Sequence, residues 1–424
     1  MTRISLFLLL FLSIPAYAIE KLPDPLTFEH VLSLGDNNYP AISRAEIRLS
    51  QSEKQTALSK TTLGLDIRAQ ARVRWVDPPG AISKNGREDH RANLFLLKPI
   101  YDFGRTGNAE SASKANEVVS KLQLRKTRQQ HRINIMRAYF NVVLADLNFN
   151  FDNEAMAIAF INFDRKQDRQ SVGQASDIDV MEAESSYLQV RRTRYESETR
   201  QRSSRAELSI LLNRPNDLPS KVLMPKLNYH KRAIPELEEL YAQALEKNLD
   251  LQILREQINS LRFELQSIQA DRKPVLSIEA EAGIYEREIG SNDRWRAGLL
   301  LDIPLYQAGK ISKLSALKRL EIQKLESLLY EKELQVKQQI LDHWLALDYL
   351  LAEKQSTDKT YEYRELYLDR ARADYELEFK SDLGDAMVKL TEASLNSAQT
   401  SFELTIHWEE LALLTQTPIE ESKQ

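Results

Sequence analysis

The 424-residue sequence contains no cysteine. Disulfides and thiolate metal sites are thereby excluded, as is membrane attachment through a lipidated N-terminal cysteine. Glycine is nearly as scarce, 12 residues where average usage of about 7% would give more than twice that number. Such a chain has few tight turns and is expected to be mostly long helix. Beyond the N-terminus there is no apolar run of the length a spanning helix needs. Charged residues make up 28% of the chain and the mean hydropathy is −0.46, so no helix is expected to cross a bilayer. Nor is there an excess of one charge: 58 basic and 62 acidic residues are well mixed, for a formal net charge of −4. That leaves no basic patch of the kind nucleic-acid binding requires.

Catalytic constellations are also missing. The six histidines, His30, His90, His131, His230, His343 and His407, are scattered without metal-ligand spacing. There is no phosphate-cradling glycine loop and no serine elbow. Acidic pairs on long helices are far more often solvation and i, i+4 pairing than general acids or bases. Neither an enzyme, nor a cofactor, nor a bound metal is expected.

The one long apolar run lies at the start. Arg3 precedes Ile4 to Ile14, and Ala16-Tyr17-Ala18 follows as a small-x-small cleavage site. About a dozen apolar residues fall short of the roughly 20 a spanning helix needs, so residues 1–18 read as a secretory signal peptide with a mature start at Ile19. The rest of the chain lies on itself at an offset of 205 residues. Pro99-Ile100-Tyr101-Asp102-Phe103-Gly104-Arg105 then falls on Pro304-Leu305-Tyr306-Gln307-Ala308-Gly309-Lys310, and Ser176-Asp177-Ile178 on Ser381-Asp382-Leu383. Two repeats, residues 19–214 and 236–417, are expected about a linker, 215–235, that carries Pro215, Pro219, Pro225 and Pro235; a tail, 418–424, follows.

Each repeat has the same order: a helix, two short strands, a long helix and a returning helix. Between Asn108 and Val172, and between Lys310 and Leu383, no glycine or proline interrupts the pattern, which predicts helices on the order of 100 Å long. Apolar residues recur at helical spacing, Ile135, Tyr139, Val142 and Phe149 in one and Ile340, Trp344, Leu347 and Leu351 in the other; such stripes pack as bundle seams. The strand segments, about 64–76, 92–101, 275–285 and 295–305, switch to a period of two. From Leu65 to Trp75 the odd positions are apolar, while the even ones are Asp66, Arg68, Gln70, Arg72 and Arg74. The third and fourth segments alternate likewise, with Glu279 and Glu281 on the polar side of the third; the second is less regular. The fold class is mainly α with a small β portion.

One apolar and one charged face over about ten residues fits either a half-buried soluble sheet or strands tilted in lipid. Trp75 and Trp295 at strand ends, beside polar loops, favour the second. Strands in lipid must close into a barrel and four cannot enclose a pore, so several subunits would share one barrel.

In its repeat order, its strand-exit motifs at Pro99 to Arg105 and Pro304 to Lys310, its Ala138-Tyr139 pair and its turn from Val172 to Val180, the chain resembles the TolC-like outer membrane factor family. The resemblance spans essentially the whole mature chain. It implies a homotrimer in the outer membrane lipid, each subunit giving four strands to a twelve-stranded barrel and its helices to a long periplasmic α-barrel. It also implies an exit duct for a tripartite efflux pump or a type I secretion system. The partners would be a periplasmic adaptor (membrane fusion protein) and an inner-membrane transporter of RND, ABC or MFS type.

By the same likeness Val172, Gly173 and Gln174 are adaptor-docking residues, although Gly173 also simply permits the turn. Asp179, Tyr375 and Lys380 match a tip-closing network, and Asp382 and Asp385 stand near the expected aspartate rings. The first expected ring position holds Gly384, and the basic one holds lysine, which lacks a planar fork. Asp382 reads equally as a helix cap, as does Asp177 in the first copy. Pro99, Gly104, Pro304 and Gly309 mark the strand-to-helix junctions. Arg68, Arg72, Arg74, Glu279 and Glu281 would face the barrel lumen, a mixed charge that predicts no strong ion selectivity. A periplasmic adaptor and a coiled-coil scaffold remain as alternatives; the first would not be expected to carry two full copies, and the second leaves the tryptophan-ended strands without purpose.

Overall fold

The computed structural model describes residues 22–35, 39–77, 87–215, 217, 220–286, 293–377 and 382–417. The signal segment, Lys380 and the tail lie outside these. The first copy runs Phe28–Leu34 (α1), Pro40–Lys60 (α2), Asp66–Arg72 (β1), Arg91–Tyr101 (β2), Arg105–Ser171 (α3) and Asp177–Leu211 (α4). The second runs Leu237–Lys247 (α5), Leu249–Ala270 (α6), Val275–Tyr285 (β3), Trp295–Asp302 (β4), Lys310–Glu376 (α7) and Leu383–Thr415 (α8). The long helices α3 and α7 have 67 residues each, and their first residues stand at the offset that the two strand-exit motifs set. At 1.5 Å per residue α7 extends about 100 Å. None of the described helices is long and apolar enough to cross a membrane.

Two compact units result. The first comprises the chain up to Leu34 together with Ala138–Lys226. Its core forms where α1 lays Phe28 against Tyr139 and Phe140, with ring centroids 5.3 and 5.2 Å apart. The Tyr139 hydroxyl donates to the Leu223 carbonyl at 2.6 Å and has the Leu26 carbonyl at 3.2 Å. Leu26 and Val222 are themselves bridged in parallel, so one buried phenol ties the start of the described chain to the linker. Burial raises its pKa above the ordinary tyrosine value. On the α4 side, Arg205 holds Asp146 through two bonds of 2.7 and 2.8 Å, the bidentate geometry that only a planar guanidinium supplies.

The second unit comprises Gly35–Arg137 and Leu227 onward. Its helical core packs Leu240 of α5, Leu251 of α6, Ile340 and Leu347 of α7, and Leu404 and Trp408 of α8. Trp344, at the edge of this cluster, spends its indole N–H on the Pro235 carbonyl at 3.1 Å. The seam read from the sequence as Ile340, Trp344, Leu347 and Leu351 is thus the side of α7 turned to α5 and α8. All four strands belong to this unit and form one antiparallel sheet in the order β1-β2-β3-β4.

Candidate functional site

Directly opposed residues of an antiparallel ladder share a face, so the strand register sorts the sheet. On one face stand the rows Asp66–Leu97–Glu279–Gly298, Arg68–Phe95–Glu281–Arg296, Gln70–Asn93–Gly283 and Arg72–Arg91–Tyr285. On the other stand Ile67–Leu96–Ala280–Ala297, Ala69–Leu94–Ala282–Trp295 and Ala71–Ala92–Ile284. The second face is apolar throughout these rows, and the first charge met on it is Lys98, opposite Ile278 toward the helix-proximal end. Its large side chains are not packed: Leu299 is 71%, Trp295 75% and Trp75 69% exposed.

The polar face is concave. A hollow of about 840 Å³ is lined by Arg68, Gln70, Phe95, Glu279, Glu281 and Arg296 among others. Glu281 sits at its centre, in contact with Arg296 and accepting from Asn93 Nδ2 at 2.6 Å. Arg68 lies 3.3 Å from Asp66, and Arg74 pairs with Asp89 across the β1–β2 hairpin. The structure therefore brings Arg68, Arg72, Arg74, Glu279 and Glu281 onto one face. It adds three residues that the irregular look of β2 concealed, Arg91, Asn93 and Phe95. Parity along β2, taken from Arg91, would have placed them.

The strand-to-helix junctions repeat a backbone rather than a set of side chains. Phe103 and Gly104 have φ of 54° and 90°, and Ala308 and Gly309 have 47° and 73°. Two consecutive left-handed residues turn the chain from strand into helix, and glycine at the second relieves the Cβ clash. Pro99 stands where the β2–β3 register shifts, a bulge that tolerates a residue without an N–H. Asp102, buried, accepts from Gly104 N at 3.2 Å and Thr106 N at 2.7 Å, which caps α3. Its counterpart Gln307 makes no such cap; α7 starts on Gly309 without a side-chain bond.

At the α3–α4 turn Gly173 has φ of 74°, and Gln174 N reaches back to the Arg169 carbonyl at 2.7 Å while Gly173 N reaches Gln170 at 2.9 Å. This is a Schellman ending, which requires the left-handed residue found there. Ser176, not Asp177, is the N-cap of α4: its hydroxyl accepts from Asp179 N while Asp179 accepts from Ser176 N at 3.0 Å. Those bonds, with Lys166 at 3.6 Å, hold the Asp179 carboxyl below its usual pKa. Val172, Ile178 and Met181 stand exposed around the turn.

At the other tip, Tyr375 is exposed in the last turn of α7. Asp382 occupies the N-cap position of α8 without a side-chain cap bond, and Asp385 pairs with Lys389 at 2.6 Å.

The family described as Outer membrane efflux protein matches residues 31–214. A search of curated sequences returns no match. The solved structures that share this fold include the CmeC outer membrane channel of Campylobacter jejuni, with TM-score 0.73, 15% identity and coverage of 91% of this chain and 85% of that one. The outer membrane protein VceC of Vibrio cholerae gives TM-score 0.70, 14% identity and coverage of 92% and 96%. The open state of the MtrE outer membrane channel of Neisseria gonorrhoeae gives 0.69, 14%, 91% and 88%. These relatives superpose over both repeats, including the second, which the family match does not reach. Residues 31–214 thus match the outer membrane efflux protein family, and the chain has the TolC-like channel fold.

Proposed function

We propose that this chain is one subunit of a homotrimeric outer-membrane exit duct, joined by a periplasmic adaptor to an inner-membrane transporter in a tripartite efflux pump. One observation carries the reading. A four-stranded sheet leaves a continuous apolar face exposed and a charged concave face behind it, with both edge strands, β1 and β4, lacking an outer partner among the described residues. In water such a face and such edges invite aggregation. With three copies closed edge to edge, twelve strands leave no edge, the apolar face meets hydrocarbon and the concave face meets water. An adaptor or a scaffold would leave that face without a use.

The tips complete the proposal. Val172, Gly173 and Gln174, with exposed Ile178 and Met181 beside them, form the surface on which an adaptor docks. Asp179 of the first tip and Tyr375, Lys380, Asp382 and Asp385 of the second are assigned to the closing network. Export by a signal peptide cleaved after Ala18 would deliver the chain to the periplasm, where an adaptor could reach the tips. Efflux rather than protein secretion is supported by the family description alone.

The test is migration of membrane extracts in detergent gels without boiling. A band at three times the chain mass that collapses on heating is expected, together with ohmic steps in planar bilayers. Recovery of a monomer in the periplasmic extract refutes the proposal.

A further inference from the structure

The register gives the charges of the concave face an order. At the helix-proximal end the face carries Asp66, Glu279 and Asp302; toward the hairpins it carries Arg68, Arg72, Arg74, Arg91 and Arg296. Three of these arginines have a carboxylate: Arg68 has Asp66, Arg296 has Glu281 and Arg74 has Asp89. Arg72 and Arg91 have none among the described residues, yet β1 and β2 set them directly opposite one another. Like charges facing across a ladder repel. Among the described residues an acid nevertheless stands beside Arg68 and Arg74 and none beside this pair. The third residue of the row offers no acid either, because Tyr285 turns its hydroxyl toward Asn93 at 3.4 Å and Glu281 at 3.5 Å.

Two arginines directly opposed across a ladder supply forked donors that match the oxygens of phosphate and carboxylate groups. We infer that Arg72 and Arg91 form a binding site for multivalent oxyanions on the concave face, and that the hairpin half of the duct attracts anions although the face as a whole is of mixed charge. The placement in a duct rests on the function proposed above; the site itself rests on the register and the pairing. Three copies would set the pair in a ring at the outer end of the barrel. There a polyphosphate added from the hairpin side would lodge and impede current.

Tripolyphosphate is the probe, used on detergent-purified protein by calorimetry and on single channels by block from the hairpin side. Wild type is expected to bind and to be blocked, at low salt more than at high. Replacement R72Q/R91Q, which relieves a repulsion and so leaves the sheet intact, is expected to weaken both by roughly tenfold or more. The R72K/R91K variant, which keeps the charges and loses the forks, should fall between wild type and R72Q/R91Q. R68Q, whose arginine already has a carboxylate, should change little. Equal binding by wild type and R72Q/R91Q overturns the site, as does loss in R68Q as great as in the double variant. Binding lost in R72Q/R91Q from a protein that never conducts would uphold the site and refute the duct instead.

Discussion

Leu299 offers the sharpest discrimination between a sheet in lipid and a sheet in water. It lies four residues beyond Trp295 on the apolar face of β4 and is 71% exposed. Four residues cover about 14 Å of strand, or about 10 Å along the membrane normal at a tilt of about 40°. With Trp295 at the aromatic girdle, that sets Leu299 near the middle of an apolar band about 25 Å tall. An arginine there costs about 2–4 kcal/mol per copy, hence about 6–12 kcal/mol in a trimer. The same substitution on a face bathed in water changes stability by less than about 0.5 kcal/mol. Urea-dependent loss of the heat-modifiable band, followed in lipid vesicles, reads the difference directly. L299R is expected to lower the midpoint severely or to block assembly, while Q70E on the concave face leaves it unmoved. Equal midpoints for L299R and wild type would refute the assignment of this face to hydrocarbon.

Three other perturbations test separate parts of the molecule. His343 and His407 bring their Nδ1 atoms to 3.0 Å between α7 and α8, and burial, with His407 alongside, lowers the His343 pKa from 6.5 to about 4. The unfolded state then binds the proton first, so stability present above about pH 6.5 is lost as pH falls toward 4. The loss is on the order of 2 kcal/mol after allowance for solvent screening. Thermal melts of H343Q should be flatter than wild type over that range, although Glu410, raised by burial, contributes with the opposite sign. Replacing Asp179 and Lys380 together by alanine should raise single-channel conductance, whereas S176A, which removes the cap and leaves the carboxylate, should not; unchanged conductance in the double variant counts against a latch. Q307D should stabilise the second junction by roughly 0.5–1 kcal/mol in urea midpoints by supplying the cap that Asp102 gives the first, and no gain would mean that the two turns differ in more than side chain.

The order of elements was legible because two periods and two breakers encode it. Helical spacing through Ile340 and Leu347 reports a seam whoever the partner is, and alternation through Ile67 to Trp75 reports a two-faced strand without neighbours. What lay beyond reach depended on pairing. Arg72 meets Arg91 only because β1 and β2 are held in one register, which the masked period of β2, with Phe95 and Leu97 on the polar side, did not announce. That Ser176 rather than Asp177 caps α4 has a different reason. Both residues are good caps in isolation, and the Schellman ending of α3 decides that Ser176 is the extended residue that enters the helix. The pattern Ser176-x-x-Asp179 did carry that signal, as a capping box with aspartate in place of the commoner glutamate.

The two copies diverge where side chains do local work and agree where backbone geometry leaves no choice. Both strand-to-helix turns need a left-handed residue at their second position, and glycine occupies it in each. Only the first adds a buried aspartate across the turn, because Gly104 and Thr106 otherwise face it with unpaired N–H groups. The same difference recurs at the helix tips. The first is fastened twice, by the ending of α3 and by the Ser176–Asp179 box, with Lys166 beside it. At the second, α8 begins at Asp382 without a side-chain bond, and Asp385 is turned along its own helix to Lys389. A carboxylate committed to capping must surrender those bonds before it can serve a partner, and among the described residues Asp382 holds no bond of that kind.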